Sequence, residues 1–153
     1  MKIAFLTSGG LAPCLSASIA ALFESYEIEN ISADFSGYLN GYQGLLKGKS
    51  YEFPSHITKN VGMLFSFGGS IIGNSRVKLT NAEDCEKRGL ILPGENPLEK
   101  AAKQLMKDEI NILHTIGGDD TNTIAAELSR YLQNIWYDLT VVGLPKTVDN
   151  DIV

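Results

Sequence analysis

The sequence predicts a three-layer α/β domain, with a mainly parallel sheet covered by helices on both faces. Short apolar runs alternate with segments of helical periodicity, and glycine or proline follows each apolar run. Strands that alternate with helices usually pair in parallel, because the helix carries the chain back to the start of the sheet. A length of 153 residues is enough for one globular domain with a full core.

The first strand and helix are predicted at the N-terminus. The apolar run Ile3–Leu6 predicts a strand, and it ends in a Thr-Ser-Gly-Gly sequence. A helix should follow, because Pro13 suits a first helical turn. Its apolar residues recur at helical spacing on one face: Leu15, Ile19, Leu22, Phe23 and Tyr26.

The middle of the chain gives weaker signals. The glycine-rich stretch from Gly37 to Gly73 predicts loops with one or two short strands and a short helix. Thr80 and Glu83 have the spacing of a capping box, and Gly89 should end the short helix that they begin. A second helix start is indicated by Asn96, Pro97 and Glu99, followed by an apolar face at Leu98, Ala101, Ala102, Leu105 and Met106.

The last part of the chain repeats the strand and helix alternation. Ile110–Ile116 predicts a buried strand that ends in Gly117-Gly118, and Thr140–Leu144 predicts another strand. Between them, Thr121–Leu132 predicts a helix whose apolar side is formed by Ile124, Leu128, Tyr131 and Leu132.

Composition excludes several functional classes. The formal net charge is −5, from 13 basic and 18 acidic residues, which argues against nucleic acid or a membrane surface as the main partner. No apolar run reaches the length of a transmembrane span, and the N-terminus lacks the pattern of a signal peptide. Two cysteines, Cys14 and Cys85, are too few for a disulfide framework. We expect free thiols and a cytoplasmic protein.

Three loops follow predicted strands, and ligands of such sheets bind at the carboxyl ends of strands. In the first loop, Gly9 and Gly10 would let backbone N–H groups approach a phosphate beside a helix N-terminus. Neither the P-loop pattern nor the dinucleotide fingerprint is present in the chain. The alternative is a tight strand-to-helix turn without a ligand.

The second loop, Gly117–Thr123, contains adjacent carboxylates at Asp119 and Asp120. Like charges side by side are unfavourable unless a cation or a helix N-terminus offsets them. Asp119 could hold Mg²⁺, which takes oxygen ligands together with substrate phosphates. The alternative is that the pair only caps the helix that follows.

The third loop combines a lysine with two acids. Lys146 could meet a phosphate as a point charge, and a nearby acid, Asp149 or Asp151, could accept a proton from an attacking hydroxyl, as phosphoryl transfer to an alcohol requires. The alternative is a solvated turn.

Together these loops resemble the phosphofructokinase family. The residues that carry the resemblance are Thr7-Ser8-Gly9-Gly10-x-Ala12-Pro13, Gly117-Gly118-Asp119 and Pro145-x-Thr147-x-Asp149-Asn150-Asp151, in the family's order, with Gly41-Tyr42-x-Gly44-Leu45 and Gly73-Asn74-Ser75-Arg76 between them. The resemblance implies a Rossmann-like N-terminal domain over residues 1–153 that binds the phosphoryl donor. It also implies Mg²⁺ at Asp119, Asp149 as the base, and substrate contacts at Gly9, Gly10, Arg76, Gly118 and Thr147.

Two positions resemble the pyrophosphate-using branch of the family. Members that use ATP usually have glycine at the two positions where this chain has Asp120 and Lys146. Asp120 would add bulk and negative charge where the α-phosphate of ATP lies, and Lys146 would attract compact pyrophosphate. The resemblance therefore implies phosphoryl transfer from pyrophosphate to the 1-hydroxyl of fructose 6-phosphate, a glycolytic reaction. Leu11 and Cys14 depart from the family pattern, which usually has aspartate and glycine there.

The resemblance also implies a longer enzyme, because in the family much of the sugar-phosphate pocket comes from later sequence. A neighbouring subunit supplies further contacts there, so we expect a homo-oligomer. The rival hypotheses are the same reaction with ATP, another kinase with a Gly-Gly-Asp loop such as the NAD and diacylglycerol kinases, and a non-catalytic fragment that only binds phosphate. Four further residues are predicted to be structural: Cys14 as a small packing residue, His114 in a buried strand, His56 in a loop, and Trp136 as a packing residue.

Overall fold

A computed structural model describes residues 1–147 of the chain. The strands are β1 (Lys2–Thr7), β2 (Asp34–Tyr38), β3 (Ser50–Glu52), β4 (Ile112–Gly117) and β5 (Thr140–Pro145). The helices are α1 (Cys14–Ile28), α2 (Tyr42–Lys47), α3 (Ser55–Thr58), α4 (Gly62–Phe65), α5 (Ala82–Lys87), α6 (Pro97–Lys107) and α7 (Asp119–Asn134).

The five strands form one sheet in the order β3-β2-β1-β4-β5. All neighbouring pairs are parallel except β2 and β3, which are antiparallel. From β1 the chain builds outward through β2 and β3, and it then returns to add β4 and β5 on the other side of β1. The strand order therefore reverses between β1 and β4, which is where ligands bind in open α/β sheets.

Helices cover both faces of the sheet, as the sequence predicts. Successive side chains of a strand point to opposite faces, so Ile3 and Phe5 pack with α1 and α4, while Ala4 and Leu6 pack with α2, α6 and α7. The first face is rich in aromatic rings. The ring centroids of Phe5 and Phe23 are 5.3 Å apart, in an edge-to-face arrangement. The predicted three-layer fold is confirmed.

The element predictions hold with local corrections. Asn81, rather than Thr80, caps α5, because its side chain accepts a hydrogen bond from the N–H of Asp84 at 3.0 Å. The helix expected from Thr121 begins two residues earlier, at Asp119. Asn96 caps α6 as predicted, with Pro97 as its first residue.

Three residues expected to be structural are placed differently. Trp136 is 95% exposed and has a positive φ of 58°, so it does not pack in the interior. Cys14 is exposed at the start of α1, while Cys85 is a buried free thiol. His56 lies in the single turn α3 rather than in a loop. His114 is buried in β4 as predicted.

Within residues 1–147, no helix is both long enough and apolar enough to cross a bilayer.

Candidate active site

The first two predicted loops and the described beginning of the third, at Lys146, meet near the point where the strand order reverses. The N–H of Ser8, after β1, donates to the carbonyl oxygen of Ile116 in β4 at 3.0 Å. The N–H of Lys146, after β5, donates to the carbonyl oxygen of Gly117 at 2.8 Å. Backbone hydrogen bonds thus tie the first loop to the second and the second to the third, at one edge of the sheet.

The segment that carries Arg76 is joined to the first loop. The N–H of Gly9 donates to the carbonyl oxygen of Ser75 at 2.9 Å, and the side-chain amide of Asn74 donates to the carbonyl oxygen of Gly9 at 2.7 Å. Ser8 and Ser75 also pair as an isolated parallel bridge. These bonds bring Arg76 to the same edge of the sheet as Gly9, although 66 positions separate them in the sequence.

A cleft of about 220 Å³ opens between these segments. Its walls include Ser8, Gly9, Gly10, Arg76, Lys78 and Asp120. The guanidinium of Arg76 and the backbones of two glycines face this cleft, and such groups bind phosphate.

Glycine is required in the floor of this site because the backbones approach closely. A Cβ at Gly117 would lie 2.4 Å from Oγ1 of Thr121 and 2.5 Å from the carbonyl oxygen of Ser8. Gly9 has a φ of 89°, a region that glycine adopts without strain, and its Cβ would lie 3.7 Å from the backbone nitrogen of Gly118. Within the described residues, the N–H groups of Gly10 and Gly118 donate to no protein acceptor.

Helix α7 starts without a side-chain cap. The N-cap residue is Gly118, which has no side chain with which to cap the helix. Asp119 and Asp120 occupy the first helical turn. The side chain of Asn122 instead secures the turn, donating to the carbonyl oxygens of Gly117 at 2.9 Å and Gly118 at 3.1 Å. The two acids therefore do not cap the helix by hydrogen bonding, although negative charge there suits the helix dipole.

The donor set at Asp119 fits Mg²⁺. Asp119 is exposed and lines a second cleft together with Asn122 and Pro145. Among the described residues there is no group of three or more His, Cys, Asp or Glu side chains that could enclose a metal. Mg²⁺ typically rests on one or two carboxylates and completes its shell with water and substrate phosphates, so a single exposed carboxylate beside a phosphate cleft is sufficient.

Lys146 is buried with its charge directed at the first loop. Its side chain is only 7% exposed, and Nζ donates to the carbonyl oxygen of Gly10. No carboxylate among residues 1–147 forms a salt bridge with it. This contact places the cation of Lys146 beside Gly10.

Asp120 forms an ion pair that the sequence did not predict. Its Oδ2 lies 2.6 Å from Nζ of Lys78. Lys78 follows Arg76 by two positions, so both cations stand on the same side of the cleft, opposite the start of α7.

The structure thus brings together Gly9, Gly10, Arg76, Gly118, Asp120 and Lys146, while Asp119 faces the neighbouring cleft. Thr147 follows Lys146 and is half-buried. Asp149 and Asp151 lie outside the described residues. Their predicted roles stay predictions.

The sequence analysis predicted no contact for three residues around the site. Lys78 pairs with Asp120, Asn122 holds the second loop, and the buried hydroxyl of Tyr42 donates to the carbonyl oxygen of Thr121 at 2.9 Å. Burial also raises the pKa of Tyr42 above its ordinary value, which keeps this donor protonated. For Asn122, its place in the Gly117–Thr123 motif was a usable signal. Lys78 and Tyr42 act across long sequence separations that no local pattern reveals.

Comparison with known proteins agrees with this geometry. A model of the phosphofructokinase family matches residues 2–153. Two curated relatives are each 57% identical to this chain over 99% of its length. They are the pyrophosphate--fructose 6-phosphate 1-phosphotransferases of Methylomonas methanica and of Propionibacterium freudenreichii subsp. shermanii. The chain spans 37% and 38% of the lengths of these two curated relatives.

A solved structure gives the same result for the fold. The T-state crystal structure of Pichia pastoris phosphofructokinase superposes with a TM-score of 0.76 at 26% identity, covering 99% of this chain and 16% of that chain. The family match covers nearly the whole sequence, residues 2–153. The chain belongs to the phosphofructokinase family.

Proposed function

We propose that the chain is the donor-binding part of a longer, Mg²⁺-dependent phosphotransferase. The reaction is transfer of a phosphoryl group from pyrophosphate to the 1-hydroxyl of fructose 6-phosphate, which gives fructose 1,6-bisphosphate and orthophosphate. Support for the extent of the enzyme comes from the curated relatives, which continue well beyond the region that this chain matches.

One observation carries the choice of donor. The buried Nζ of Lys146 reaches the carbonyl oxygen of Gly10, beside a cleft that Asp120 and Lys78 border. A Cβ at Gly10 would stand only 3.5 Å from that Nζ. A cation held this close to a glycine loop leaves room for a small, highly charged anion and little for a nucleotide.

The described residues would bind and orient the donor. The N–H groups of Gly10 and Gly118 donate to phosphate oxygens, and Arg76 and Lys146 neutralise the charge that grows on the transferring and leaving groups. Gly9 and Gly118 keep the backbone accessible. Thr147 lies next to Lys146, where its side chain would contact the substrate.

Asp149 is proposed as the general base, with Asp151 in support. As the oxygen of the 1-hydroxyl bonds to the terminal phosphorus, the bridging P–O bond breaks and orthophosphate leaves. The proton of the hydroxyl passes to the Asp149 carboxylate. Because Asp149 and Asp151 lie outside the described residues, this assignment rests on the family motif.

Asp119 would hold the metal. When bound there, Mg²⁺ would supply positive charge that stabilises the negative charge of the transfer. The exposed carboxylate of Asp119 at the start of α7 fits that role, because it stands beside the phosphate cleft and is not used as a helix cap.

A donor assay on the full-length protein that contains this sequence tests the proposal. We expect kcat/KM with pyrophosphate to exceed that with ATP by at least about 100-fold, a ratio that charged and steric exclusion can supply. The double substitution Asp120→Gly with Lys146→Gly should shift the preference towards ATP, at reduced activity.

A matched control is Lys87→Gly, which removes an exposed lysine of α5 outside the clefts around the site. This variant should keep the donor preference of the wild type. Comparable kcat/KM for the two donors in the wild-type protein would show that pyrophosphate is not the preferred donor.

A further inference from the structure

The ion pair between Lys78 and Asp120 is set apart from the other ion pairs of the described part by its place at the cleft. Three of the others join residues four positions apart, as in Lys87 with Glu83, and the other long-range pair, Lys2 with Glu109, does not line the cleft. Lys78 and Asp120 are 42 positions apart and connect the segment after Arg76 to the first turn of α7. Both side chains line the cleft that also contains Gly9 and Gly10.

Stability does not explain this pair. The two side chains are 45% and 70% exposed, and ion pairs in solvent contribute about 0–1 kcal/mol to folding. Their placement instead fixes the position of the Asp120 carboxylate, because Nζ and Oδ2 lie only 2.6 Å apart. Without that contact the carboxylate could rotate freely in an open cleft.

Asp120 presents a charge problem for an anionic donor. A carboxylate that excludes a larger donor by its bulk would also repel pyrophosphate, which carries several negative charges. Coulomb repulsion between two like charges at short range weakens binding. Asp120 can serve as a barrier without weakening pyrophosphate binding only if a nearby cation cancels its charge, and Lys78 is in contact with it.

We propose that Lys78 is a positioning residue for donor specificity. Lys78 holds the Asp120 carboxylate in place and cancels its charge, so Asp120 blocks a larger donor by bulk while pyrophosphate still binds. This inference rests on the function proposed above. It adds a residue that acts through Asp120 rather than on the donor itself.

Lys78→Met in the full-length protein tests it, because methionine keeps the length and removes the charge. The KM for pyrophosphate should rise by about 3- to 10-fold through the uncancelled carboxylate, while kcat and the KM for fructose 6-phosphate stay within about twofold of wild type. The affinity for the unreactive analogue imidodiphosphate should fall by a similar factor. Lys78→Arg should keep wild-type values.

The double variant distinguishes positioning from direct binding. When Asp120→Asn has removed the negative charge, Lys78→Met should change the pyrophosphate KM by less than about twofold, because the two residues are coupled. A full-sized effect of Lys78→Met in that background would mean that Lys78 contacts the donor directly, which would overturn the inference.

Lys87→Met is the matched control, since it breaks an ion pair at 2.7 Å on α5 outside the cleft and should leave both constants unchanged. An unchanged pyrophosphate KM in a folded Lys78→Met variant would overturn the inference and leave the proposed function intact. If the wild-type protein does not use pyrophosphate at all, the proposed function fails, and this inference fails with it.

Discussion

At the residue scale, the two adjacent acids of α7 have different surroundings. Asp120 is paired with Lys78 across one cleft, whereas Asp119 faces the neighbouring cleft beside Pro145 and has no salt-bridge partner among residues 1–147. An exposed, unpaired carboxylate at a helix start is a suitable ligand for a hard cation. Adjacent identical residues are thus suited to donor selection at Asp120 and metal binding at Asp119.

Asp119→Ala in the full-length enzyme tests the metal role. We expect kcat to fall by at least about 10-fold, because positioned charge stabilisation would be lost. A titration of rate against Mg²⁺ should also show a higher requirement for the metal. Near wild-type rates at limiting Mg²⁺ would indicate that Asp119 only favours the helix dipole.

Asp149→Asn tests the proposed base. Asparagine nearly keeps the shape of the side chain but cannot take the proton, so kcat should fall by about 10²–10⁴-fold, the usual contribution of a general base. Pyrophosphate affinity should stay similar or become tighter, since one negative charge is removed. A melting curve must accompany the kinetics. If the folded variant keeps kcat within about threefold of wild type, Asp151 becomes the next candidate.

Sequence reasoning found the site residues that lie in local motifs and missed those that act across the fold. Gly9, Gly118 and Lys146 stand in short patterns whose chemistry can be read directly. The partner of Asp120 could not be found in this way, because nothing near Lys78 in the sequence indicates contact with α7. Only the folded chain brings the two together.

At the element scale, β4 contains a buried histidine, His114, that packs between aromatic side chains. His114 stacks on Phe5 with ring centroids 5.3 Å apart, and its Nε2 is hydrogen-bonded to the hydroxyl of Tyr26 at 2.8 Å. Burial lowers its pKa from 6.5 to about 4, because the charged imidazolium would lose its hydration. Among the residues that the structure describes, burial is the cause of this lowered pKa.

The pKa of His114 predicts a pH dependence of stability. The unfolded chain takes up a proton near pH 6.5 and the folded chain does not, so this stabilisation is complete above pH 6.5 and is lost as the pH falls towards 4. Between pH 7 and pH 5.5 the free energy of unfolding should fall by about 1 kcal/mol, measured by urea denaturation.

Two histidine variants separate this effect from other titrations. His114→Gln should lower stability at pH 7 and reduce the slope between pH 7 and pH 5.5. His56→Gln should keep the wild-type slope, since His56 is exposed on α3. An unaltered slope in His114→Gln would assign the pH dependence to other groups.

The elements themselves were largely predictable, since strands and long helices carry strong periodicity. The first and last residues of these helices and strands were harder to predict. Asn81 and Thr80 are both good capping residues, and the choice between them depends on how the preceding loop is held. Trp136 was misplaced because aromatic size favours burial on average, whereas the chain turns there with a positive φ directly after α7.

At the scale of the whole molecule, the topology explains why the chemistry is concentrated at one place. Strand order reverses between β1 and β4, so the loops after these strands diverge and leave a cleft between them. β5 extends the same edge and brings Lys146 to the first loop through its bond to Gly10. β5 is an outermost strand of the described sheet, and most of its residues are exposed.

The 153-residue chain by itself contains the donor loops and the proposed base, so it should bind pyrophosphate weakly in the presence of Mg²⁺, as calorimetry can measure. It should not convert fructose 6-phosphate at a detectable rate. Holding two reactants in register accounts for about 7–11 kcal/mol of a barrier, and the chain matches only 37% and 38% of the lengths of its curated relatives.

A matched comparison separates donor binding from catalysis. Lys146→Met in the same chain should abolish the weak pyrophosphate binding, because the cation at Gly10 would be removed, whereas Lys87→Met should leave it unchanged. The full-length protein, assayed in parallel, should turn over both substrates. Robust turnover by the purified 153-residue chain would mean that the acceptor site lies within residues 1–153, and the division into a donor part and a later acceptor part would then be wrong.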